Sequence, residues 1–298
     1  MRLLITGGTG FIGGALCRTL LQHGHELLIL SRQADRQPPA PKVTWLSFQD
    51  RAWQQTAEGC DGVINLAGEP LVARRWSPAQ KELIRQSRLQ TTRQLVETIA
   101  RWSRKPTVFV SASAIGYYGP CDDEELRETD DPGKGFLADL CRAWEAEAQR
   151  AGPLGPRVVI LRIGVVLAPG GGALAKMLPP FRWFMGGPLG NGRQWVSWIH
   201  RDDILGLIEW VLTRSNVSGP VNATAPQPVR MREFCHALGA VLHRPSWVPA
   251  PAIILRLLLG EMADVLLTGQ RVVPAAALRA GYTFRFPALL PALEACVG

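Results

Sequence analysis

The segment that most constrains this chain is Thr6-Gly7-Gly8-Thr9-Gly10-Phe11-Ile12-Gly13, which follows a short apolar run at the start of the sequence. Gly7, Gly10 and Gly13 are spaced G-x-x-G-x-x-G, and Gly8, Gly10 and Gly13 also satisfy G-x-G-x-x-G. Glycine is needed where a chain turns tightly with positive φ, where backbone must approach a pyrophosphate, and where a helix meets a strand closely. The apolar positions Ile12, Ala15, Leu16, Thr19 and Leu20 then predict a helix over 11–22, stopped by Gly24. The N-terminus of a helix placed this way offers free N–H groups and partial positive charge to phosphates. Strand, loop and helix together predict a dinucleotide site that includes Thr9, Phe11 and Ile12.

Beyond the first helix, short β-branched or apolar runs alternate with helical periods, the pattern of a parallel sheet wrapped by helices. Strands are expected at 27–30, 43–46, 63–66, 108–111 and 158–162, which with 2–6 make a series of six. Ser77-Pro78 sets a capping hydroxyl before a proline at the first helical position, so a long helix is expected to run to about residue 102. Another is expected over 136–149. Past Gly164 the texture changes, because Gly170-Gly171-Gly172, Pro179-Pro180 and Gly186-Gly187-Pro188 break the chain repeatedly. A helix over 200–213 returns to the sheet, and short helices follow at 231–242, 252–259, 262–267, 274–280 and 287–297. The expected fold is α/β: a Rossmann-type doubly wound parallel sheet over 1–165, rejoined by 200–225. An interleaved substrate lobe and a small C-terminal helical domain occupy 166–199 and 226–298.

Charge and cysteine placement narrow the partners. The chain is 47% hydrophobic and 19% charged, too apolar to stay disordered. Its net +8 is not one stripe: residues 71–105 hold nine basic and two acidic groups, residues 121–147 three and ten. The remaining surplus lies after residue 148, with fifteen basic against seven acidic groups, in the part expected to meet a substrate. An anionic or polar small molecule is therefore expected, and no nucleic acid. No apolar run approaches the ~18 residues of a membrane span, so no membrane partner is expected. The first apolar stretch breaks at once into glycines, unlike a secretory signal. The six cysteines show no C-x-x-C pair and no zinc spacing, so no metal is expected, and free thiols point to the cytoplasm.

At the end of the second strand, an NAD site would place Asp or Glu against the ribose diol. Here the residues are Leu30-Ser31-Arg32, with Asp35 too far into the loop. A hydroxyl and a guanidinium suit a 2′-phosphate, so Ser31 and Arg32 predict NADP(H).

Several further stations match in order: Asn65-Leu66-Ala67-Gly68, Val110-Ser111-Ala112-Ser113-Ala114, Arg162-Ile163-Gly164-Val165-Val166-Leu167 and Trp198-Ile199-His200-Arg201-Asp202-Asp203. With the glycine loop, they resemble the extended short-chain dehydrogenase/reductase superfamily, of the NAD(P)-dependent epimerase/dehydratase type. Gly68-Glu69-Pro70, Arg74-Arg75-Trp76, Leu178-Pro179-Pro180-Phe181 and Gly269-Gln270-Arg271 resemble one branch more closely. That epimerase-family branch is often labelled sugar-nucleotide epimerase or cell-division inhibitor, and it ends in a helical domain of unknown function. The resemblance covers essentially the whole chain. It implies that Gly7, Gly10 and Gly13 bind the pyrophosphate, that Leu66, Ala67, Gly68 and Glu69 line the nicotinamide-side ribose, and that Ser113 is the catalytic hydroxyl. It also implies a homodimer paired through the long helix.

One departure stands out. The superfamily's proton donor is Tyr-x-x-x-Lys, in which the lysine lowers the phenol's pKa. Four residues after Tyr117, Tyr118 and Tyr282 stand Cys121, Asp122 and Phe286, and the helix expected to carry the dyad reads Phe136-Leu137-Ala138-Asp139-Leu140-Cys141-Arg142-Ala143-Trp144-Glu145. Tyr117 and Tyr118, directly after Ser113, are the substitute candidates, with Lys176 as a charge partner. For the substrate, nucleotide-sugar enzymes clamp a diphosphate with an arginine just before the Ile-His segment. Val196 stands there, and Arg193 comes three residues earlier. Arg88, on the long helix, is the other anion candidate, while His200 is expected to cap or pack. Three readings follow: an NADP-dependent oxidoreductase or epimerase without the usual dyad, a non-catalytic NADP(H) sensor, or a sugar-nucleotide epimerase.

Overall fold

A computed structural model describes residues 1–72 and 74–297. Seven strands form one sheet: β1 (Arg2–Thr6), β2 (Glu26–Ser31), β3 (Val43–Ser47), β4 (Gly62–Asn65), β5 (Val108–Ala114), β6 (Arg157–Ile163) and β7 (Gly219–Ala223). The order across it is β7-β6-β5-β4-β1-β2-β3. All neighbours are parallel. The direction of winding reverses between β1 and β4, which opens a crevice beyond their carboxyl ends.

The strands are buried on both faces, so side chains alternate between two cores. Leu3, Ile5, Leu27, Ile29, Ile64 and Val110 face the Phe11–Gln22 and Arg201–Thr213 helices. Leu4, Leu28, Val63 and Phe109 face the Pro78–Arg101 helix through Leu95, Val96 and Ile99. Each such fully buried aliphatic side chain stabilises the fold by about 1.5–3 kcal/mol. A third core joins Leu174, Phe181 and Trp198 to the Met231–Leu242 and Leu289–Val297 helices. This arrangement matches the expected doubly wound sheet with a helical C-terminal region.

Three details differ from expectation. The sheet has a seventh strand, β7, whose Gly-Pro-Val-Asn-Ala lacks an apolar run. Its place comes from register with β6 (Val221 opposite Leu161), and the sheet edge tolerates Pro220. β4 ends at Asn65, leaving Leu66 just beyond the strand. In the glycine-rich region a short helix is expected to begin at Lys176; the helix found starts earlier, over Gly172–Arg182, with Pro179 and Pro180 inside it. Among the described residues no helix is long and apolar enough to cross a membrane.

Candidate functional site

The glycine loop closes the crevice with bare backbone. Gly7 has φ +73°, and a Cβ there would stand 2.6 Å from the carbonyl of Leu66; at Gly13 a Cβ would stand 2.1 Å from the oxygen of Gly7. Both positions therefore exclude any side chain. Gly10 is the N-cap of the Phe11–Gln22 helix and brings no side-chain cap, so the first N–H groups remain available to an anion. Thr9 and Gly10 are exposed, whereas Phe11 and Ile12 are half-buried. The Phe11 ring fills the space at Gly171, where a Cβ would lie 2.3 Å from it, which joins the second glycine run to the loop. The residues present fit a dinucleotide pyrophosphate.

Beneath the loop lies a sealed polar seam. Thr6 Oγ1 donates to Asn65 Oδ1 at 2.7 Å, and Asn65 Nδ2 donates to Thr92 Oγ1 at 2.8 Å and Ser111 Oγ at 3.3 Å. It ties β1, β4 and β5 to the long helix directly below Leu66, Ala67 and Gly68. Glu69 is fastened too, its N–H donating to Ser87 Oγ at 3.0 Å. At the end of β2, Ser31 Oγ accepts from the Gln33 N–H at 3.1 Å. Arg32 is exposed and has no ion-pair partner among the described residues.

Beyond β5, the site is organised by a buried ion pair that sequence reading did not single out. β5 and β6 set Ser113 beside Arg162. Arg162 donates through Nε and Nη2 to the two carboxylate oxygens of Glu145, both at 2.9 Å, and Ser113 Oγ donates to Glu145 Oε1 at 2.7 Å. All three are buried. A charge inside an otherwise apolar strand demands a partner, which was the available signal; the partner's identity depends on helix packing. The pair and its hydrogen bonds hold Arg162 firmly charged despite its burial.

The two tyrosines part company around this arginine. Tyr118 is removed from the catalytic set: it is 1% exposed, its hydroxyl donates to Asn222 Oδ1 at 2.7 Å and accepts from Arg162 Nη1 at 2.9 Å. Burial pushes its phenol up to about 12. Tyr117 is half-buried, and the Arg162 guanidinium stacks 3.5 Å from its ring centroid. Burial raises its phenol, with the Arg162 charge opposing, so it stays protonated at neutral pH and can donate a proton. On the Phe136–Gln149 helix, Leu137 packs at Gly116 and the Cys141 thiol lies against Ser113, neutral because burial raises it to about 11. Neither can replace a Tyr/Lys dyad.

The substrate candidates do not converge. Lys176 donates to the Val72 carbonyl at 3.0 Å and pairs with neither tyrosine. Arg193 lines a separate cavity of about 1030 Å³ with Asn191, Arg230, Arg232 and Asp123, to which the glycine loop contributes nothing. Arg88 is half-buried, its guanidinium against the Glu69 carbonyl just beyond β4. His200 caps the Arg201–Thr213 helix, its Nδ1 accepting from the Asp202 N–H at 3.2 Å.

Comparison with known proteins places this geometry. The family model described as the NAD dependent epimerase/dehydratase family matches residues 3–223, and a domain of unknown function, DUF1731, matches residues 250–296. Epimerase family protein SDR39U1 homolog, chloroplastic, of Arabidopsis thaliana is 43% identical over 99% of this chain and 86% of its own length. Epimerase family protein SDR39U1 of mouse is 40% identical over 99% of both chains. Among solved structures, human SDR39U1 (isoform 2), crystallised with NADPH, superposes with a TM-score of 0.90 at 37% identity, covering 99% of both chains. A nucleoside-diphosphate sugar epimerase from Corynebacterium glutamicum gives 0.76 at 33% identity, covering 99% of this chain and 58% of that one. The fold is thus shared with human SDR39U1 along the full length, and the chain belongs to the NAD dependent epimerase/dehydratase family, with a DUF1731 domain at its C-terminus.

Proposed function

We propose that the protein binds NADP(H) in the crevice between β1 and β4 and uses it for oxidation or reduction at an alcohol or carbonyl carbon of a small polar or anionic substrate. The observation that carries this reading is the bare glycine cradle together with Ser31 at the end of β2 and the adjacent Arg32, which has no ion-pair partner among the described residues. The cradle fits a pyrophosphate and the two side chains a 2′-phosphate. The relative solved with NADPH supports the same assignment. The bound cofactor supplies hydride exchange at its nicotinamide. The chain's own residues supply orientation and a proton. Ser113, its proton committed to Glu145, keeps lone pairs that accept from a substrate hydroxyl. Tyr117, held against Arg162, donates to a developing alkoxide. Six free cysteines, five of them buried, suit a reducing compartment such as the cytoplasm.

A second reading, a sensor that binds NADP(H) without turnover, is favoured by one observation. The helix that packs here carries Leu137 against Gly116 and Cys141 against Ser113, rather than a phenol and an ammonium. NADPH fluorescence titration, then long incubation with carbonyl and nucleotide-sugar panels, separates the two. Turnover lost in Ser113→Ala and Tyr117→Phe is expected of the enzyme. Tight binding with no turnover anywhere in the panels establishes the sensor.

A further inference from the structure

The mechanism above leaves one group in the crevice without a task. Arg88 projects from the long helix to the end of β4, where its Nη1 donates to the carbonyls of Glu69 at 3.1 Å and Ile84 at 3.0 Å. The guanidinium lies 5.2 Å from the Trp144 ring. Two carbonyls and a stacked ring therefore hold its plane in one orientation. We infer that Arg88 is the recognition group for a carboxylate on the substrate, so that the reaction takes place on a carboxylic acid. The inference rests on the NADP(H) reading and names its substrate class.

Three observations support it. First, the Nε–Nη2 edge of Arg88 has no hydrogen-bond partner among the described residues, no carboxylate lies within ion-pair distance, and both atoms keep solvent access. The molecule shows what that edge is for: in Arg162, the same two nitrogens grip both oxygens of Glu145 at 2.9 Å. A planar fork with two parallel donors is matched by a carboxylate. Second, the guanidinium is left uncovered by design of the backbone. A Cβ on Gly68 would stand 3.0 Å from Arg88 Cζ and 3.1 Å from Nη2, so any other residue there would lie over the fork. Third, Arg88 and the Ser113 hydroxyl meet the same helix, Phe136–Gln149: the guanidinium lies over Trp144, and Ser113 Oγ donates to the adjacent Glu145. Among the described residues no carboxylate, that of Glu69 included, forms an ion pair with Arg88; only the Glu69 carbonyl accepts from it. A half-buried cation whose Nε–Nη2 edge has no partner among the described residues favours an anion there. The cofactor's own pyrophosphate is the other source of such an anion, although the glycine loop already provides for it.

The test titrates oxamate, succinate and benzoate, each with its uncharged amide, into the NADPH-loaded protein. At least one carboxylate should bind while its amide does not. Arg88→Gln should weaken that binding by about tenfold or more, with the NADPH Kd within about twofold of the unmodified value. Arg88→Lys, which keeps charge but not the fork, should fall between and covers the case in which the neutral variant fails to fold. Failure of all three carboxylates to bind overturns the inference, as does binding unchanged in Arg88→Gln. So does a loss of NADPH affinity equal to the loss for the carboxylate, which would assign the fork to the cofactor. Repeating the titration without NADPH, by tryptophan fluorescence, decides the carboxylate question even if the cofactor reading itself fails.

Discussion

The Glu145–Arg162 pair decides what the residues around it can do. It fixes Ser113 through one carboxylate oxygen, seals Tyr118, and leaves Tyr117 as the phenol at the rim. Buried ion pairs add little net stability when intact, but removing one partner strands the other charge. Glu145→Leu should therefore lower the free energy of unfolding by about 3–5 kcal/mol, measured by urea denaturation. Glu145→Leu with Arg162→Met should recover much of that loss. An outcome in which both variants are equally unstable would mean that the pair's contribution is not electrostatic. Sequence reading reached Ser113 and the absence of a Tyr/Lys dyad, because both are local patterns. It missed Glu145 and Arg162 as a unit, because they are 17 positions apart and meet only where the Phe136–Gln149 helix crosses β6. Tyr117 and Tyr118 are both candidates by their place after Ser113; Tyr118, which also matches the superfamily's structural tyrosine before glycine, is the one that turns inward.

Among the elements, the opening strand, glycine loop and first helix were legible because each glycine answers a steric demand. Gly13→Ala puts a Cβ 2.1 Å from the Gly7 oxygen and should abolish NADPH binding. Gly14→Ala is the matched control: its Cβ would lie 3.6 Å from the Gly8 oxygen, an ordinary contact. There, fluorescence titration should show unchanged affinity, with stability raised by up to about 1 kcal/mol from the helix-interior Gly→Ala change. The Arg201–Thr213 helix carries a pH prediction. Burial of its cap, His200, pushes the imidazole below its ordinary 6.5. The unfolded chain then binds a proton that the folded chain resists, so stability is full above that value and declines as pH falls below it. The urea midpoint should drop between about pH 7.5 and about pH 5.5, and the drop should shrink in His200→Asn, which keeps a capping side chain. β7 was the element hidden from the sequence. Its five residues have neither apolar alternation nor β-branched enrichment, and pairing with β6 alone makes them a strand.

For the whole molecule, winding about the β1/β4 reversal dictates where a ligand sits. Phe11 meets the Gly171 and Gly172 backbone, so the glycine-rich segment borders the glycine loop, and Gly260 of the C-terminal region meets Arg75. The charge surplus counted after residue 148 does not converge on the crevice: Arg193, Arg230 and Arg232 gather at a cavity of their own, while Arg88, without an ion-pair partner among the described residues, comes from the long helix. That distribution was beyond the reach of counting, because charge per segment says nothing about which face a side chain takes. NADPH at about 100 times its Kd should stabilise the whole fold by about 2.7 kcal/mol. The most direct test of the account is parallel calorimetric titration of NADPH and NADH into the unmodified protein and Arg32→Ala. The account predicts a preference for NADPH of about 10- to 100-fold that Arg32→Ala removes by weakening NADPH alone. Equal binding of the two cofactors, or a preference unchanged in Arg32→Ala, would contradict it.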